Sequence, residues 1–224
     1  MKKISVKLRN DLNDVIQEFP ELEVFKNNGK PYKLEGPIDI IDIDGNNRGT
    51  YEIQILFNPE KHPYDFPSLR EISNKIPKDK DRHIYENTGN CCVAVLQEQV
   101  IETNKGISIY NFVKRYAVPY LANQIYFEEN GKWANGDYFH GDAGQIQYYA
   151  EAFKTVDLEI IITGINKVIS KRMPGRNDLC FCNRGLKFKR CHQPVLEKIA
   201  QLGEAQLKAD IEKIITLKNL KQDE

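Results

Sequence analysis

No stretch of this 224-residue chain approaches the ~20 consecutive apolar residues of a bilayer-spanning helix, which excludes a helical integral membrane protein. The opening MKKISVKLRNDLNDVIQEF is basic but has no apolar h-region, so it does not read as a secretory signal, and a cytoplasmic location is expected. Neither sign of charge dominates, because 32 Lys and Arg face 32 Asp and Glu. No glycine-rich phosphate-binding signature occurs, so any ATP-dependent step must come from another protein. Internal repeats and low-complexity tracts are also missing. The five cysteines are an odd number, which argues against a disulfide framework and leaves metal binding or catalysis as their use.

What is present fits a folded α+β chain. Hydrophobic residues make up 41% of it, too many for a disordered segment. The length suits one medium domain, since single cores run to roughly 100–200 residues, plus a small annex. The net charge of zero hides an asymmetry. Residues 1–170 carry 20 basic and 25 acidic side chains, whereas residues 171–224 carry 12 and 7. The cysteines divide at the same place, with Cys91 and Cys92 adjacent and Cys180, Cys182 and Cys191 in the basic part. Three segments are expected: 1–170, 171–193 and 194–224.

Ile4, Leu8, Leu12, Val15, Ile16 and Phe19 recur at helical spacing and predict a first helix. Short β segments follow at Leu22–Phe25, Tyr32–Leu34 and Ile38–Ile43, with Ile40-Ile41 breaking the alternation as a bulge would. Gly45-Asn46-Asn47-Arg48-Gly49 reads as a hairpin turn. The clearest strand puts Tyr51, Ile53, Ile55 and Phe57 on one face. Pro59, Pro63 and Pro67 then interrupt regular structure before a fourth strand at Ser68–Ile72. Residues 73–106 look largely irregular. Helices are expected from Ser108 to about Phe127 with a kink at Pro119, at Gln145–Phe153, at Val156–Ser170, and from Pro194 onward.

The most specific pattern is Cys180-Phe181-Cys182 followed after eight residues by Cys191-His192. Three thiols and an imidazole within 13 positions can close a tetrahedral zinc site, and Asn183-Arg184-Gly185 supplies the return turn. Arg176, Arg184, Lys187, Lys189 and Arg190 would favour the thiolate forms. Pro174-Gly175-Arg176-Asn177-Asp178, the Cys-x-Cys pair and the closing Cys-His together resemble the SEC-C motif. Phe181 and Asn183-Arg184 stand where that motif usually has Pro and Gly-Ser. A closed four-ligand site leaves no open position for catalysis, so structural zinc is expected. The basic surface around it is either a by-product of this staple or a contact for an acidic partner. Nucleic acid fits poorly, because Phe181 and Phe188 are the only stacking aromatics beside it.

The second constellation is His83-Ile84-Tyr85-Glu86-Asn87-Thr88-Gly89-Asn90-Cys91-Cys92-Val93. In extended backbone, neighbouring side chains face opposite ways, so one cysteine can be a core residue and the other a candidate nucleophile. A helix, a four-strand meander, a Pro/aromatic corner and then His…Gly-x-x-Cys resemble the ubiquitin-conjugating enzyme fold. Asn58-Pro59…His62-Pro63-Tyr64-Asp65-Phe66-Pro67 is similar to that family's corner, and Gly89-Asn90-Cys91-Cys92-Val93 to its Gly-x-Ile-Cys-Leu. The resemblance implies a thioester acceptor at Cys92 and a buried role for Cys91. It aligns His83 with the start of the family's His-Pro-Asn, whose Pro and Asn are here Ile84 and Tyr85. The role of that Asn is thus unassigned, with Asn87, Asn90 and His140 as candidates.

The loop from Trp133 to Gly144, with His140-Gly141, is similar to bacterial members of the fold from antiphage CBASS operons. This likeness implies conjugation of a cyclic-nucleotide synthase, through its C-terminus, to lysines of target proteins. It also implies a separate activating enzyme. His83 and His140 can titrate near neutrality, and Asp142 could orient a histidine. For His83 a structural hydrogen-bonding role competes with base catalysis. Two other functions use the same residues: a thiol isopeptidase that cleaves such conjugates, and a catalytically idle binding module of the same fold.

Overall fold

The computed structural model describes residues 4–25, 32–134, 139 and 141–220. Its architecture is α+β, and it divides into two compact units, Met1–Ala94 with Lys105–Asp137 and Val95–Asn104 with Tyr138–Glu224.

The first unit begins with helix α1 (Val6–Glu18), capped where the Ser5 hydroxyl accepts a hydrogen bond from the Leu8 N–H at 3.1 Å. Leu8, Leu12 and Val15 are buried, as the spacing predicts. Four strands follow, β1 (Glu23–Phe25), β2 (Tyr32–Ile41), β3 (Asn47–Phe57) and β4 (Ser68–Glu71), in one antiparallel sheet of that order. The two segments expected at Tyr32–Leu34 and Ile38–Ile43 are a single strand. It runs through Gly36, where φ is +149° and a Cβ would lie 2.3 Å from the Glu21 carbonyl oxygen, so only glycine fits. The register does shift at Ile40/Ile41. The hairpin turn lies earlier than its composition suggests, at Asp42–Asn46, because the Asp42 carboxylate accepts from the Asp44 and Asn46 N–H groups and closes it.

Across the sheet's inner face, Tyr51, Ile53, Ile55, Phe57 and Leu69 are buried against α1 and the later helices. The long helical segment starts at Ser108 as predicted, its hydroxyl accepting from the Asn111 N–H. It comprises α3 (Ile109–Phe112), a π-helical turn (Val113–Ala117) and α4 (Val118–Asn130). The irregularity expected at Pro119 is this wider turn, placed just ahead of a proline that has no N–H to continue the ladder. A buried pair ties the proline corner to the helices. His62 Nε2 lies 2.7 Å from Asp11 Oδ2, and Asp11 also accepts from the Ile109 and Tyr110 N–H groups at 2.6 and 3.0 Å.

The second unit contains α2 (Leu96–Lys105) up to Asn104, a helix within the stretch expected to be irregular; Gln97 and Ile101 are its buried residues. Helices α5 (Gly141–Phe153) and α6 (Leu158–Ile169) pack with the cysteine segment in this second core. The final helix read from Pro194 is two helices, α7 (Gln193–Ile199) and α8 (Glu204–Leu220). A 3-10 turn and Gly203, at φ +82°, separate them. Asp210 is buried in this core with neutral donors around it: Tyr149 Oη at 2.6 Å, Gln97 Nε2 at 3.2 Å and Gln206 Nε2 at 2.8 Å.

Candidate functional site: a thiol loop and a metal centre

The thiol loop is a closed turn between Ile84 and Cys91, which form an isolated antiparallel bridge. Its ends are fastened where the Tyr85 N–H donates to the Asn90 carbonyl at 2.9 Å and the Cys92 N–H donates to the His83 carbonyl at 2.7 Å. The Cys91 N–H donates to the Leu69 carbonyl at 2.8 Å, fixing the loop to β4. Arg82, buried just before it, anchors the loop to α4. Its Nε donates to Gln124 Oε1 at 2.8 Å and its guanidinium lies 4.8 Å from the Phe127 ring centre. Its carbonyl accepts from Tyr120 Oη and Gln124 Nε2, both at 2.9 Å.

The alternation predicted for the cysteines is present. Cys91 is 6% exposed, and burial pushes its thiol pKa up to about 11, so it is a packing residue. Cys92 is half-buried, and its Sγ accepts a hydrogen bond from Tyr85 Oη at 3.3 Å. The His83 ring packs edge-on against Trp133 at 5.0 Å, with Trp133 in turn 4.6 Å from Phe127. His140 lies outside the described residues. Asp142, offered as a partner for a histidine, forms an ion pair with Lys213 at 2.9 Å. Asn90 is engaged away from the thiol, its side-chain oxygen accepting from Arg70 Nε at 2.7 Å, while Asn87 is exposed. Tyr85 was not among the expected site residues. It stands where the resemblance has the family's Asn, which gave no sign of a contact with Cys92.

In the second unit the four expected metal ligands converge. One donor atom from each of Cys180, Cys182, Cys191 and His192 lies within 4.8 Å of all the others. Cys180 Sγ and Cys191 Sγ are 3.2 and 3.4 Å from His192 Nδ1, and Cys182 Sγ is 3.5 Å from Cys191 Sγ. The turn that folds them together uses left-handed Asn183 and Gly185 and the Leu179–Lys187 bridge.

The chemistry of this donor set fits zinc. His192 Nε2 faces the Phe153 carbonyl at 3.2 Å, so that nitrogen carries the proton and Nδ1 turns its lone pair toward the thiols. Burial lowers the His192 pKa and keeps the ring neutral, as a ligand must be. Burial and the neighbouring thiols raise Cys191 to about 12. Burial opposes ionisation of Cys182 as well, but the Arg184 N–H and the adjacent thiols outweigh it and lower its pKa. Three thiols and a neutral imidazole at this separation form a donor set that a dication completes.

Residues 176–194 match the SEC-C motif, a zinc-binding type, and the match contains all four ligand residues. No curated protein and no solved structure matches the chain. No helix among the described residues is long and apolar enough to cross a membrane.

Proposed function

We propose that the chain is an acyl-carrying transferase of the ubiquitin-conjugating kind, with Cys92 as the carrier thiol and the SEC-C segment as a structural zinc site. The observation that carries the reading is the division of labour in the cysteine pair. Cys91 is sealed in the core while Cys92, held by backbone bonds to a sheet-anchored loop, keeps a reachable sulfur.

In the first step the Cys92 thiolate attacks the activated carbonyl of a modifier's C-terminus and expels its leaving group, forming a thioester. An amine of the target, a lysine Nζ, then attacks that carbonyl. The C–S bond breaks, an isopeptide bond forms and the thiolate returns. The amine's proton must leave, and His83 and His140 are the histidines proposed for that task. A separate activating enzyme supplies the ATP-dependent step. A CBASS-type setting, with the C-terminus of a cyclic-nucleotide synthase as the cargo, rests on the Trp133…His140-Gly141 likeness.

The test is a trapped intermediate. With activating enzyme, ATP and cognate modifier, the wild-type chain should form an adduct that thiol reductant releases, and Cys92→Ala should form none. Absence of the adduct from the wild-type chain would sink the reading. Cleavage of a preformed conjugate by Cys92 would replace it with the isopeptidase.

A further inference from the structure

We propose that Tyr85 is the positioning residue of the Cys92 thiol, its hydroxyl donating to the sulfur both as attacking thiolate and as leaving group. This inference rests on the acyl-carrier reading of Cys92. The hydroxyl lies 3.3 Å from Sγ, an ordinary O–H···S separation, and the two residues come from the two ends of a loop with only short backbone links between them. The loop geometry therefore fixes the donor where the sulfur's charge develops.

A hydrogen bond to an ionised partner is roughly twice as strong as one between neutral groups, so the bond tightens whenever the sulfur is anionic. When an amine nitrogen attacks the thioester carbonyl, the C–S bonding pair returns to sulfur, and Tyr85 meets it with a proton donor already in place. The phenol keeps its own proton throughout. Burial, then the Cys92 thiol, push its pKa well above the usual tyrosine value. Cys91 and Tyr120 also lie within electrostatic reach of Cys92, and burial raises the pKa of both, so both keep their protons around pH 8.

The experiment is the pH profile of Cys92 alkylation by iodoacetamide in the full chain, read by mass spectrometry of the Cys92 peptide. Tyr85→Phe should move the midpoint to higher pH and slow alkylation below it about tenfold. Tyr64→Phe, at a tyrosine outside the loop, should leave both unchanged. An unchanged midpoint in a folded Tyr85→Phe chain overturns the assignment. Because alkylation needs neither modifier nor activating enzyme, this result stands apart from the thioester trap. If the trap succeeds, single-turnover transfer to free lysine should also slow about tenfold in Tyr85→Phe, with thioester loading at saturating activating enzyme retained.

Discussion

Two adjacent cysteines with the same chemistry differ because one residue of backbone turns one inward and the other outward. The consequence for stability is specific. Cys91 holds its proton to about pH 11 in the folded chain, whereas an unfolded thiol ionises near pH ~8.5. Below that lower value both states are protonated and the contribution of Cys91 is intact. As pH rises toward 11 the unfolded chain alone sheds the proton, so stability falls. Tyr120 and Tyr149, raised by burial, extend the same limb above about pH 10. Between pH 7.5 and pH 10 the urea-derived stability should drop, and Cys91→Ala should remove about 1–2 kcal/mol of that drop. An equal alkaline loss in Cys91→Ala would refute the buried, protonated thiol. At this scale the sequence was legible where neighbours are close in the chain. Alternation placed Cys91 and Cys92, and local spacing brought together the four residues of the Cys/His cluster. Tyr85 on Cys92 and the Phe153 carbonyl on His192 depend on how loops and helices close, which no spacing encodes.

Elements were legible in proportion to their periodicity. The strand with Tyr51, Ile53, Ile55 and Phe57 buried stood out because every second residue is apolar. Helix α2 did not, because its buried pair is Gln97 and Ile101, and a buried glutamine makes no apolar stripe. The last helices read as one because Leu196, Ile199, Leu207, Ile211 and Ile214 are all buried, with the break falling at a single glycine. Helix α6 shows what packing asks of one residue. A Cβ on Gly164 would lie 2.4 Å from the Phe153 ring and 3.2 Å from Leu196 Cδ2. Phe153 is 1% exposed, and its carbonyl faces His192, so the ring has nowhere to retreat without disturbing the metal ligand. Gly164→Ala gains up to about 1 kcal/mol of helix propensity but overpacks a core, which costs about 1–3 kcal/mol. The net expectation is a loss of up to about 2 kcal/mol together with weaker zinc retention. Thermal unfolding and a chelator competition assay measure the two effects; a stabilised variant would mean that the ring moves freely.

Among the described residues there are two hydrophobic cores, and the Cys/His cluster lies in one of them. Cys180 and Cys182 are buried among Phe153, Ile161, Leu196 and Ile199, whereas the core around the sheet holds Cys91 but none of the four donors. Zinc held by this cluster would be coupled to the folding of the second core, since the donors assemble only when it does. A ligand that binds only the folded form adds RT ln(1 + [L]/Kd), about 4 kcal/mol at a thousandfold excess over Kd. The purified chain should show this in three measurements. Metal analysis should find zinc in the wild type and none in Cys180→Ser/Cys182→Ser; unchanged stoichiometry would refute the ligand assignment. Stripping the metal with a chelator should lower one thermal transition and leave intact the transition of the sheet-bearing unit. Alkylation of Cys92 in that unit should then proceed at the same rate with and without zinc. If chelation instead altered Cys92 reactivity, the metal would have a part in the thiol chemistry that a closed, four-donor site in a separate core does not provide.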